Sequence, residues 1–463
     1  MVVTKQNTGN TEFSAKLPVK VADPKWLQTI KGILRPIYYL ETTRKSLGDI
    51  FIAEFASFPD QVIISDPEAI QKIFTADAKL FLSGSGNEVI QPLVGTNSLI
   101  LLDGDRHIQQ RKLLMPPFHG ERMRAYGQLF RQITQQVMDK LTPGETFIAR
   151  EKMQEISLQV ILRTVFGLQE GERYQQIQTL LTEMLDSFES PISAVFLLLK
   201  SLQIDLGSLS PWGKFIRKRA ILDKLLYQEI KERRQQNQSL GEDILSLLLS
   251  VQDENGQFMS DTELRDELMT MLFAGHETTA TAIAWALYWL HYLPEVKEKL
   301  LNELHSVDLE NIDPMELAKL PYLNAVCSET LRIYPVVFFA FPRILQAPMQ
   351  LLDYQFPQGT MFSICIYLTH HRSDIYPEPE KFLPERFLEK QFSPYEFLPF
   401  GGGNRRCLGM AFASLEMKIV LATILSRYKL TLQESQPLKP VRRGLTFTPA
   451  GGVHLALQEK SSL

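Results

Sequence analysis

Cysteine is scarce in this chain. Three cysteines occur in 463 residues, and no two of them form a C-x-x-C pair. A disulfide framework needs a larger set, and a structural zinc site needs several Cys or His ligands at short spacing. The scarcity therefore excludes a disulfide-stapled secreted scaffold, argues against zinc, and predicts a reducing, cytoplasmic location.

The chain also lacks long apolar runs and a basic excess. No run approaches the roughly 18 apolar residues of a membrane-spanning helix, and the first residues contain no apolar core of signal-peptide length. We expect no transmembrane anchor, a mobile polar segment over residues 1–22, and a single domain over residues 23–463. The formal net charge of −4 lacks the positive excess of nucleic-acid-binding proteins. We therefore expect a monomer without a nucleic-acid partner.

Apolar residues recur with the 3.6-residue period of helices along most of the chain. The predicted helices cover residues 26–44, 103–116, 121–141, 149–165, 171–190, 214–238, 242–251, 261–293, 322–333 and 408–428. Short strands are predicted at residues 49–55, 61–65, 349–355 and 361–367, a long loop at 78–102, and a terminal hairpin at 442–457 that turns at 448–452. The predicted fold class is mainly α, with small β-sheets.

The most informative stretch is the glycine-rich loop from Phe400 to Gly409, which contains Cys407. Its glycines allow close backbone approach and positive φ, so main-chain amides are able to surround the sulfur. A following helix and the neighbouring Arg405 and Arg406 add positive charge. We therefore expect the site to favour the thiolate form of Cys407.

A thiolate in such a loop is either a nucleophile or a metal ligand. As a nucleophile, Cys407 requires a histidine base, and the sequence shows no local cysteine-protease signature. A single thiolate with open coordination opposite is what haem iron accepts, and an arginine beside it is suited to pair with a haem propionate. The remaining alternative is a structural cysteine in a glycine-rich turn.

The pattern F-x-x-G-x-R-x-C-x-G, formed by Phe400, Gly403, Arg405, Cys407 and Gly409, resembles the haem-binding signature of the cytochrome P450 superfamily. This resemblance implies a helix-rich triangular prism with a long central helix over haem b. It also implies that Cys407 is the iron ligand, and that the other loop residues, Phe400, Arg405 and Gly409 among them, hold the cofactor.

The longest predicted helix, residues 261–293, contains the run Ala274-Gly-His-Glu277-Thr278. A glycine inside a helix costs about 1 kcal/mol relative to alanine, and a buried carboxylate must find partners, so these local costs point to function. The run resembles the A-G-x-[DE]-T signature of the same superfamily. The resemblance implies that the helix opens beside the cofactor at Ala274 to admit O2, and that Glu277 and Thr278 deliver protons. Incidental small residues in a helix are the alternative.

Candidate propionate ligands come from two further places. His107 and Arg111 are four residues apart on a predicted helix and so share one face, where both are able to donate to one anion. They resemble the superfamily's W-x-x-x-R motif, with histidine in place of tryptophan. By position, Arg343 resembles another propionate-binding arginine, and His371 is a weaker candidate. A solvated helical face is the alternative for the His107–Arg111 pair.

Two short motifs indicate architecture rather than chemistry. Glu329 and Arg332 are spaced three apart on a predicted helix, which lets their side chains pair. Arg386 stands in a run that resembles the superfamily's P-E-R-F motif. The resemblance implies that Glu329, Arg332 and Arg386 form a structural triad that holds the surroundings of the cysteine loop.

The resemblance covers residues 24–458 and implies a monooxygenase that hydroxylates or epoxidises an apolar small molecule with O2. The chain shows no flavin or iron–sulfur signature, so we expect electrons from a separate ferredoxin and ferredoxin reductase, docking near Arg405, Arg406 and Lys418. A peroxygenase and a non-catalytic haem-thiolate ligand sensor are the alternatives. The Glu277–Thr278 pair argues against both.

The substrate is the least determined part of the prediction. The run over residues 115–123 is similar to cyanobacterial members associated with fatty acids and terpenoids, so a long-chain fatty acid is favoured, with a terpenoid, retinoid or steroid as the alternative. The apolar segment 191–199 is either a core helix or a lid over the substrate channel. The predicted pocket lining is Leu272, Phe273, Val336, Val337, Phe338 and Phe339.

Overall fold

The computed structural model describes residues 16–56, 58–168, 171–186, 202–235, 241 and 243–460. The helices are α1 (Lys25–Leu34), α2 (Pro36–Leu47), α3 (Pro67–Thr75), α4 (Gln91–Val94), α5 (Gly104–Leu114), α6 (Glu121–Met138), α7 (Ala149–Phe166), α8 (Glu172–Asp186), α9 (Pro211–Gln235), α10 (Ile244–Ser250), α11 (Asp261–Tyr292), α12 (Pro294–His305), α13 (Pro314–Leu317), α14 (Pro321–Ile333), α15 (Ile366–His370), α16 (Arg386–Glu389) and α17 (Met410–Arg427). The strands are β1 (Ile50–Ala53), β2 (Gln61–Ile64), β3 (Phe81–Leu82), β4 (Thr146–Ile148), β5 (Arg343–Leu345), β6 (Met349–Leu351), β7 (Tyr354–Phe356), β8 (Met361–Ile364), β9 (Tyr428–Leu432), β10 (Pro440–Arg443), β11 (Thr446–Pro449) and β12 (His454–Lys460). Helices dominate, which confirms the predicted fold class.

The long helix α11 runs through the main hydrophobic core. It begins at a capping box: the Glu263 amide donates to the Ser260 hydroxyl at 3.2 Å, and the Ser260 amide donates to the Glu263 carboxylate at 2.9 Å. It ends before Pro294, whose ring cannot continue the same helix. α11 packs extensively on α7 and also contacts α17, the helix that follows the cysteine loop. These contacts make α11 the central element around which the site is built.

One prediction for the N-terminal region is wrong. The single helix predicted over residues 26–44 is two helices, because Pro36 forces the preceding Arg35 out of helical geometry. Residues 16–22, predicted to be mobile, are tied to β1: the Val21 amide donates to the Ile52 carbonyl at 2.9 Å, and the Ile52 amide donates to the Val19 carbonyl at 3.0 Å.

The largest sheet has the strand order β1-β2-β8-β5-β3. The strands predicted at residues 49–55 and 61–65 are confirmed as β1 and β2, which pair antiparallel with Ile50 opposite Ile64. The next helix, α3, starts at a cap in which the Asp66 side chain accepts the Ala69 amide at 2.9 Å and Pro67 follows. Residues 78–102 are not one loop, because β3 in this segment pairs with β5. The sheet thereby fixes Arg343 at the start of β5.

The terminal hairpin also differs from the prediction. β10 pairs with β11, while β12 joins a separate sheet between β4 and β9. The chain leaves the hairpin through Gly451 and Gly452, which have φ values of +74° and +84°. These left-handed conformations redirect the backbone instead of returning it on itself. The segment 191–199 lies outside the described residues. Among the helices that are described, none has the length and apolarity to cross a bilayer.

Candidate active site

The cysteine loop folds tightly against α3. Gly403 has a φ of +63°, and the Cys407 amide donates to the Phe400 carbonyl at 2.9 Å, which closes the turn. A Cβ atom on Gly402 would lie 2.3 Å from the Phe74 ring. Glycine at position 402 is therefore required by packing, as the sequence pattern indicated in general terms.

Cys407 has an accessible surface, although protein atoms pack densely around its sulfur. Burial raises the pKa of the Cys407 thiol, against the opposing effects of the Gly409 amide and the charges of Arg111 and Arg406. The expectation that the protein alone favours the thiolate is therefore wrong, because desolvation outweighs the positive charge. A bound metal ion deprotonates a coordinating thiol outright, so the thiol is still a competent ligand.

The four predicted propionate ligands form one cluster, called here the cation cluster: His107, Arg111, Arg343 and Arg405. His107 is buried, and its pKa is lowered to about 3, first by burial and then by the positive charges of the three arginines. The carboxylate of Asp103 opposes this effect. Three guanidinium groups around one carboxylate leave a positively charged site that is suited to an anion.

Arg405 is the best-defined member of the cation cluster. Its guanidinium donates to the carbonyl of Leu102 at 2.5 Å and to the carboxylate of Asp103 at 2.5 Å. Burial lowers the pKa of Arg405 to about 10, so it remains protonated at neutral pH. Its Nε atom is buried and has no hydrogen-bond partner among the described residues. A buried donor of this kind is costly unless an acceptor binds there.

Arg343 is held from the other side of the cysteine loop. Its guanidinium donates to the carbonyls of Phe341 at 2.7 Å and Gly402 at 3.1 Å, and to the Ser83 hydroxyl at 3.2 Å. Burial and the charge of Arg405 lower the pKa of Arg343 to about 9. The guanidinium therefore connects β5 to the cysteine loop and adds to the positive charge there.

On α11, Ala274 is exposed, and the hydroxyl of Thr278 donates to the Ala274 carbonyl at 2.7 Å. This back-bond fixes the orientation of the Thr278 hydroxyl on the same helix face. Gly275 faces a different neighbour, since a Cβ atom there would lie 2.8 Å from Cδ1 of Ile161 in α7. The close approach of α7 thus accounts for Gly275, whose cost to the helix the sequence analysis took as a sign of function.

Glu277 is buried and faces α7. Gln154 donates a hydrogen bond to its carboxylate, and a guanidinium nitrogen of Arg150 lies 3.7 Å from it. Arg150 also donates to the Gln154 side chain at 2.8 Å, which completes a three-residue network. Sequence reasoning missed Arg150 and Gln154, because an i, i+4 polar pair on a helix is common and carries no specific signal. The proton-relay role of Glu277 stays a prediction.

The structure brings Glu329, Arg332 and Arg386 together in the interior. Arg332 donates twice to Glu329, at 2.6 and 2.8 Å, and Arg386 donates to it at 3.1 Å. Arg332 also donates to the carbonyl of His370 at 2.9 Å, and the ring of His370 accepts the amide of Leu398 at 3.0 Å. His370 therefore links the buried triad to the segment that leads into the cysteine loop.

His371 belongs with this buried triad rather than with the cation cluster. Its pKa is lowered to about 3 by burial and then by the charge of Arg332, with a smaller effect from Arg44. Its Nδ1 atom lies 2.9 Å from the carbonyl of Tyr367, on whose ring it stacks. The suggestion that His371 binds a propionate is not supported by this position.

The predicted pocket residues divide into two groups. Leu272 and Phe338 are buried in the core, and Phe338 is stacked between the rings of Tyr367 and Phe447 at centroid distances of 4.7 and 3.4 Å. Buried side chains offer little surface to a substrate, so this packing argues against a lining role for Leu272 and Phe338, and Val336 is buried as well. The partly exposed members, which remain candidate lining residues, are Phe273, Val337 and Phe339.

A cavity of about 530 Å³ lies between α14, the segment 394–403 and α17, and no residue of α5 or α11 lines it. Arg406 and Lys418 border this cavity. Arg406 is exposed, whereas Lys418 is partly buried and donates to the Ala318 carbonyl at 3.1 Å. Arg405 is buried against Asp103 and is unavailable to a docking partner, which corrects the prediction for that residue.

Comparison with solved structures identifies the fold. The chain is similar to a retinoic acid-bound cyanobacterial CYP120A1, with a TM-score of 0.84 and 28% identity over 97% of this chain and 100% of that one. A second structure, the cytochrome P450 CYP102L1, has a TM-score of 0.79 at 22% identity over 92% of this chain and 98% of that one, and supports the fold alone.

Comparison with curated proteins likewise finds similarity to cytochromes P450. The protein designated cytochrome P450 135B1 of Mycobacterium tuberculosis is 34% identical over 433 residues, which are 93% of this chain and 89% of that protein. Cytochrome P450 135A1 of the same organism is 30% identical, covering 94% of this chain and 93% of its own length. The cytochrome P450 family model matches residues 27–456. The chain therefore belongs to the cytochrome P450 family, a family of haem-dependent monooxygenases.

Proposed function

We propose that this P450 inserts one oxygen atom of O2 into an apolar small molecule, with a long-chain fatty acid as the favoured substrate. Electrons come from a separate ferredoxin and ferredoxin reductase, and the protein acts as a cytoplasmic monomer. The observation that carries the proposal is the position of an accessible Cys407 next to the cation cluster, since Arg111 lies close enough to influence the pKa values of both Cys407 and His107.

The residues fit haem b, the cofactor that the family implies. Cys407 supplies an accessible sulfur ligand, and the unpartnered Nε of Arg405 is a buried donor that an anionic oxygen satisfies. The excess of guanidinium groups over carboxylates in the cation cluster matches two propionates. When bound, a haem with a thiolate ligand supplies O2 activation and favours O–O cleavage. The protein itself holds the cofactor, orients the substrate and delivers protons.

Proton delivery falls to Thr278 and Glu277. The Thr278 hydroxyl has one proton, which it donates to the Ala274 carbonyl, so it must turn away from that carbonyl in order to donate to an oxygen at the open face of α11. Consecutive residues on a helix are about 100° apart, so Glu277 lies on the neighbouring face. We infer that its carboxylate must turn away from Gln154 in order to pass a proton to Thr278.

Two substrate classes suit the partly exposed apolar side chains among the predicted lining residues. Phe273, Val337 and Phe339 offer partly exposed apolar surface, which suits an alkyl chain. The likeness to a retinoic acid-bound P450 at 28% identity favours an isoprenoid acid as the second candidate. Fatty acids and retinoic acid are both elongated carboxylic acids, so a direct comparison of their binding is needed to distinguish the two substrate classes.

The deciding experiment is a titration of the purified ferric holoprotein, followed by its Soret band. The ligands are a fatty-acid series of increasing chain length, retinoic acid and a few sesquiterpenes. A saturable shift to high spin that peaks at one chain length supports a fatty-acid substrate. A response confined to retinoic acid or the terpenes moves the assignment to isoprenoids, and the lack of a Soret band in any preparation contradicts the haem assignment.

A second assay separates an enzyme from a ligand sensor. With a surrogate ferredoxin and its reductase, a monooxygenase consumes NADPH in the presence of substrate and releases an oxygenated product. A sensor binds the same ligand without product. A peroxygenase gives product with hydrogen peroxide alone, without the ferredoxin system.

A further inference from the structure

Helix α1 exposes three of its apolar side chains and buries a glutamine. Within α1, which is described throughout, the one buried side chain is that of Gln28. Trp26, Ile30 and Leu34 are 61%, 46% and 69% exposed. A surface helix of a globular protein normally buries its apolar stripe and exposes its polar face.

The orientation of α1 is fixed by Gln28. Its amide nitrogen donates to the carbonyl of Asp23 at 2.7 Å. Its oxygen accepts the hydroxyl of Tyr39 at 2.9 Å and the backbone amide of Glu54 at 2.9 Å. Rotating the helix to bury its apolar residues would break all three hydrogen bonds, and leaving those groups buried without partners is costly. The outward apolar face is therefore a stable feature of the fold.

The exposed residues form a single stripe. Trp26, Ile30 and Leu34 are spaced four apart, which places them in line on one face of α1. Tyr38, on α2 directly after the break at Pro36, is also 62% exposed. We call these four side chains the α1 stripe. Contiguous exposed apolar surface of this kind marks an interaction site.

Most of the basic side chains around the stripe are paired with carboxylates. Residues 25–47 contain five cations, which are Lys25, Lys31, Arg35, Arg44 and Lys45, and one carboxylate, Glu41, in a chain whose net charge is −4. Three of the cations pair with carboxylates outside this range: Lys25 with Glu54 and Asp60, Lys31 with Asp23, and Arg44 with Asp49. Arg35, beside Leu34, is exposed.

We propose that the α1 stripe inserts into the interfacial region of a phospholipid bilayer and attaches this protein peripherally to membranes. Tryptophan, tyrosine and basic side chains around an apolar stripe are the composition that the bilayer interface favours. A protein partner is a poorer match, because a standard protein interface uses about 20–30 residues on each side, whereas the stripe has four. The exposed guanidinium of Arg35 beside Leu34 gives a preference for anionic lipids.

Vesicle sedimentation of the holoprotein tests the proposal. We expect binding to phosphatidylcholine vesicles, and stronger binding when phosphatidylglycerol is included, with the increment weakened by salt. The variant Trp26→Gln/Ile30→Gln/Leu34→Gln should lower the partition coefficient by about tenfold or more. The matched control is Ile221→Gln/Phe258→Gln/Leu388→Gln, at side chains that are 53%, 52% and 49% exposed elsewhere. It should bind as the unmodified protein does.

A second measurement does not depend on the triple variant folding. Brominated lipids quench only tryptophans that enter the acyl region, so the unmodified protein should lose part of its fluorescence, and Trp26→Phe should abolish that loss. Failure of the unmodified protein to bind vesicles, or equal loss of binding in the control, overturns the proposal. A dimer in analytical ultracentrifugation that the stripe variant dissociates overturns it as well, and assigns the stripe to a second copy.

Discussion

The carboxylate of Asp103 lies 2.5 Å from the guanidinium of Arg405. The same carboxylate accepts three consecutive backbone amides, those of Ser83 at 2.7 Å, Gly84 at 2.9 Å and Ser85 at 3.2 Å. One side chain thus ties the segment after β3 to the cysteine loop. Because the pairing fixes the guanidinium, it also determines where the unpartnered Nε of Arg405 points.

We therefore predict that Asp103→Asn lowers the free energy of unfolding by about 1.5–3 kcal/mol, the usual contribution of a hydrogen bond to a charged group. The one side-chain oxygen of asparagine still accepts the Ser83 and Gly84 amides, but the NH2 group in place of the second oxygen cannot accept the Ser85 amide, and the side chain no longer neutralises Arg405. Thermal unfolding measures the stability, and transfer of haem to apomyoglobin should be faster in the variant. Asp105→Asn, at an exposed position two residues away, is the control. Equal unfolding temperatures for Asp103→Asn and Asp105→Asn would contradict a stabilising role for the Asp103–Arg405 pair.

The Glu329→Gln substitution should lower the free energy of unfolding more than Asp103→Asn does. Glu329 and Arg332 are fully buried, and Arg386 is nearly so, so a neutral glutamine leaves two interior cations without a counter-charge. Removing one partner of a buried ion pair costs about 3–5 kcal/mol. The expected result is little folded, haem-containing protein, measured by the ratio of Soret to protein absorbance. Glu298→Gln, at an exposed position on α12, should leave that ratio unchanged.

Sequence reasoning located the site through local patterns. The spacing of Glu329 and Arg332 and the glycines of the cysteine loop act over a few positions, so one sequence is enough to indicate them. The sequence did not show which distant residues these side chains contact. Asp103 meets Arg405 across 302 residues and Gln154 meets Glu277 across 123, and such contacts depend on the complete fold.

The sequence also did not show which face of a helix, or which of several apolar residues, is buried. Helical periodicity predicted an amphipathic segment at residues 26–44 but not which face it buries, because the pattern of α1 does not show that Gln28 makes three buried hydrogen bonds. The same limit explains the pocket residues. Leu272 and Phe338 are as apolar as a substrate-lining residue, and only the packing shows that they belong to the core.

Thr278→Ala tests proton delivery. The variant should keep the thiolate-type spectrum of the reduced carbon monoxide complex, since Cys407 is untouched. Product formation should fall by about a hundredfold, the lower range for a positioned proton donor, with hydrogen peroxide released instead. Thr279→Ala is a matched control, because the hydroxyl of Thr279 makes the same kind of back-bond, to Gly275 at 3.0 Å, on a buried face. Normal coupling in Thr278→Ala would refute the assignment, whereas Thr278→Ser should restore coupling.

The pH dependence of stability tests the contact between α11 and the loop that holds Arg405. Glu267 is buried, accepts the Leu99 amide at 2.8 Å and the Gln110 side chain at 3.2 Å, and has its pKa raised to about 8 from the ordinary 4.5, chiefly by burial. The folded state therefore binds a proton that the unfolded state releases above pH 4.5. The stabilising contribution is fully present below pH 4.5 and is lost as the pH rises through 8.

Glu267→Gln keeps the accepting oxygen and removes the ionisation, so its stability should not carry this dependence. Between pH 5 and 8 the unmodified protein should lose stability relative to the variant by about 1.4 kcal/mol per pH unit, the free-energy equivalent of one pKa unit. Glu416, whose pKa is likewise raised to about 8 by burial, titrates in both proteins and cancels from the difference. The measurement is the shift in unfolding temperature of each protein across that range. Parallel pH profiles would show that Glu267 is ionised in the folded state, and that its contacts with Leu99 and Gln110 stabilise a carboxylate rather than a carboxylic acid.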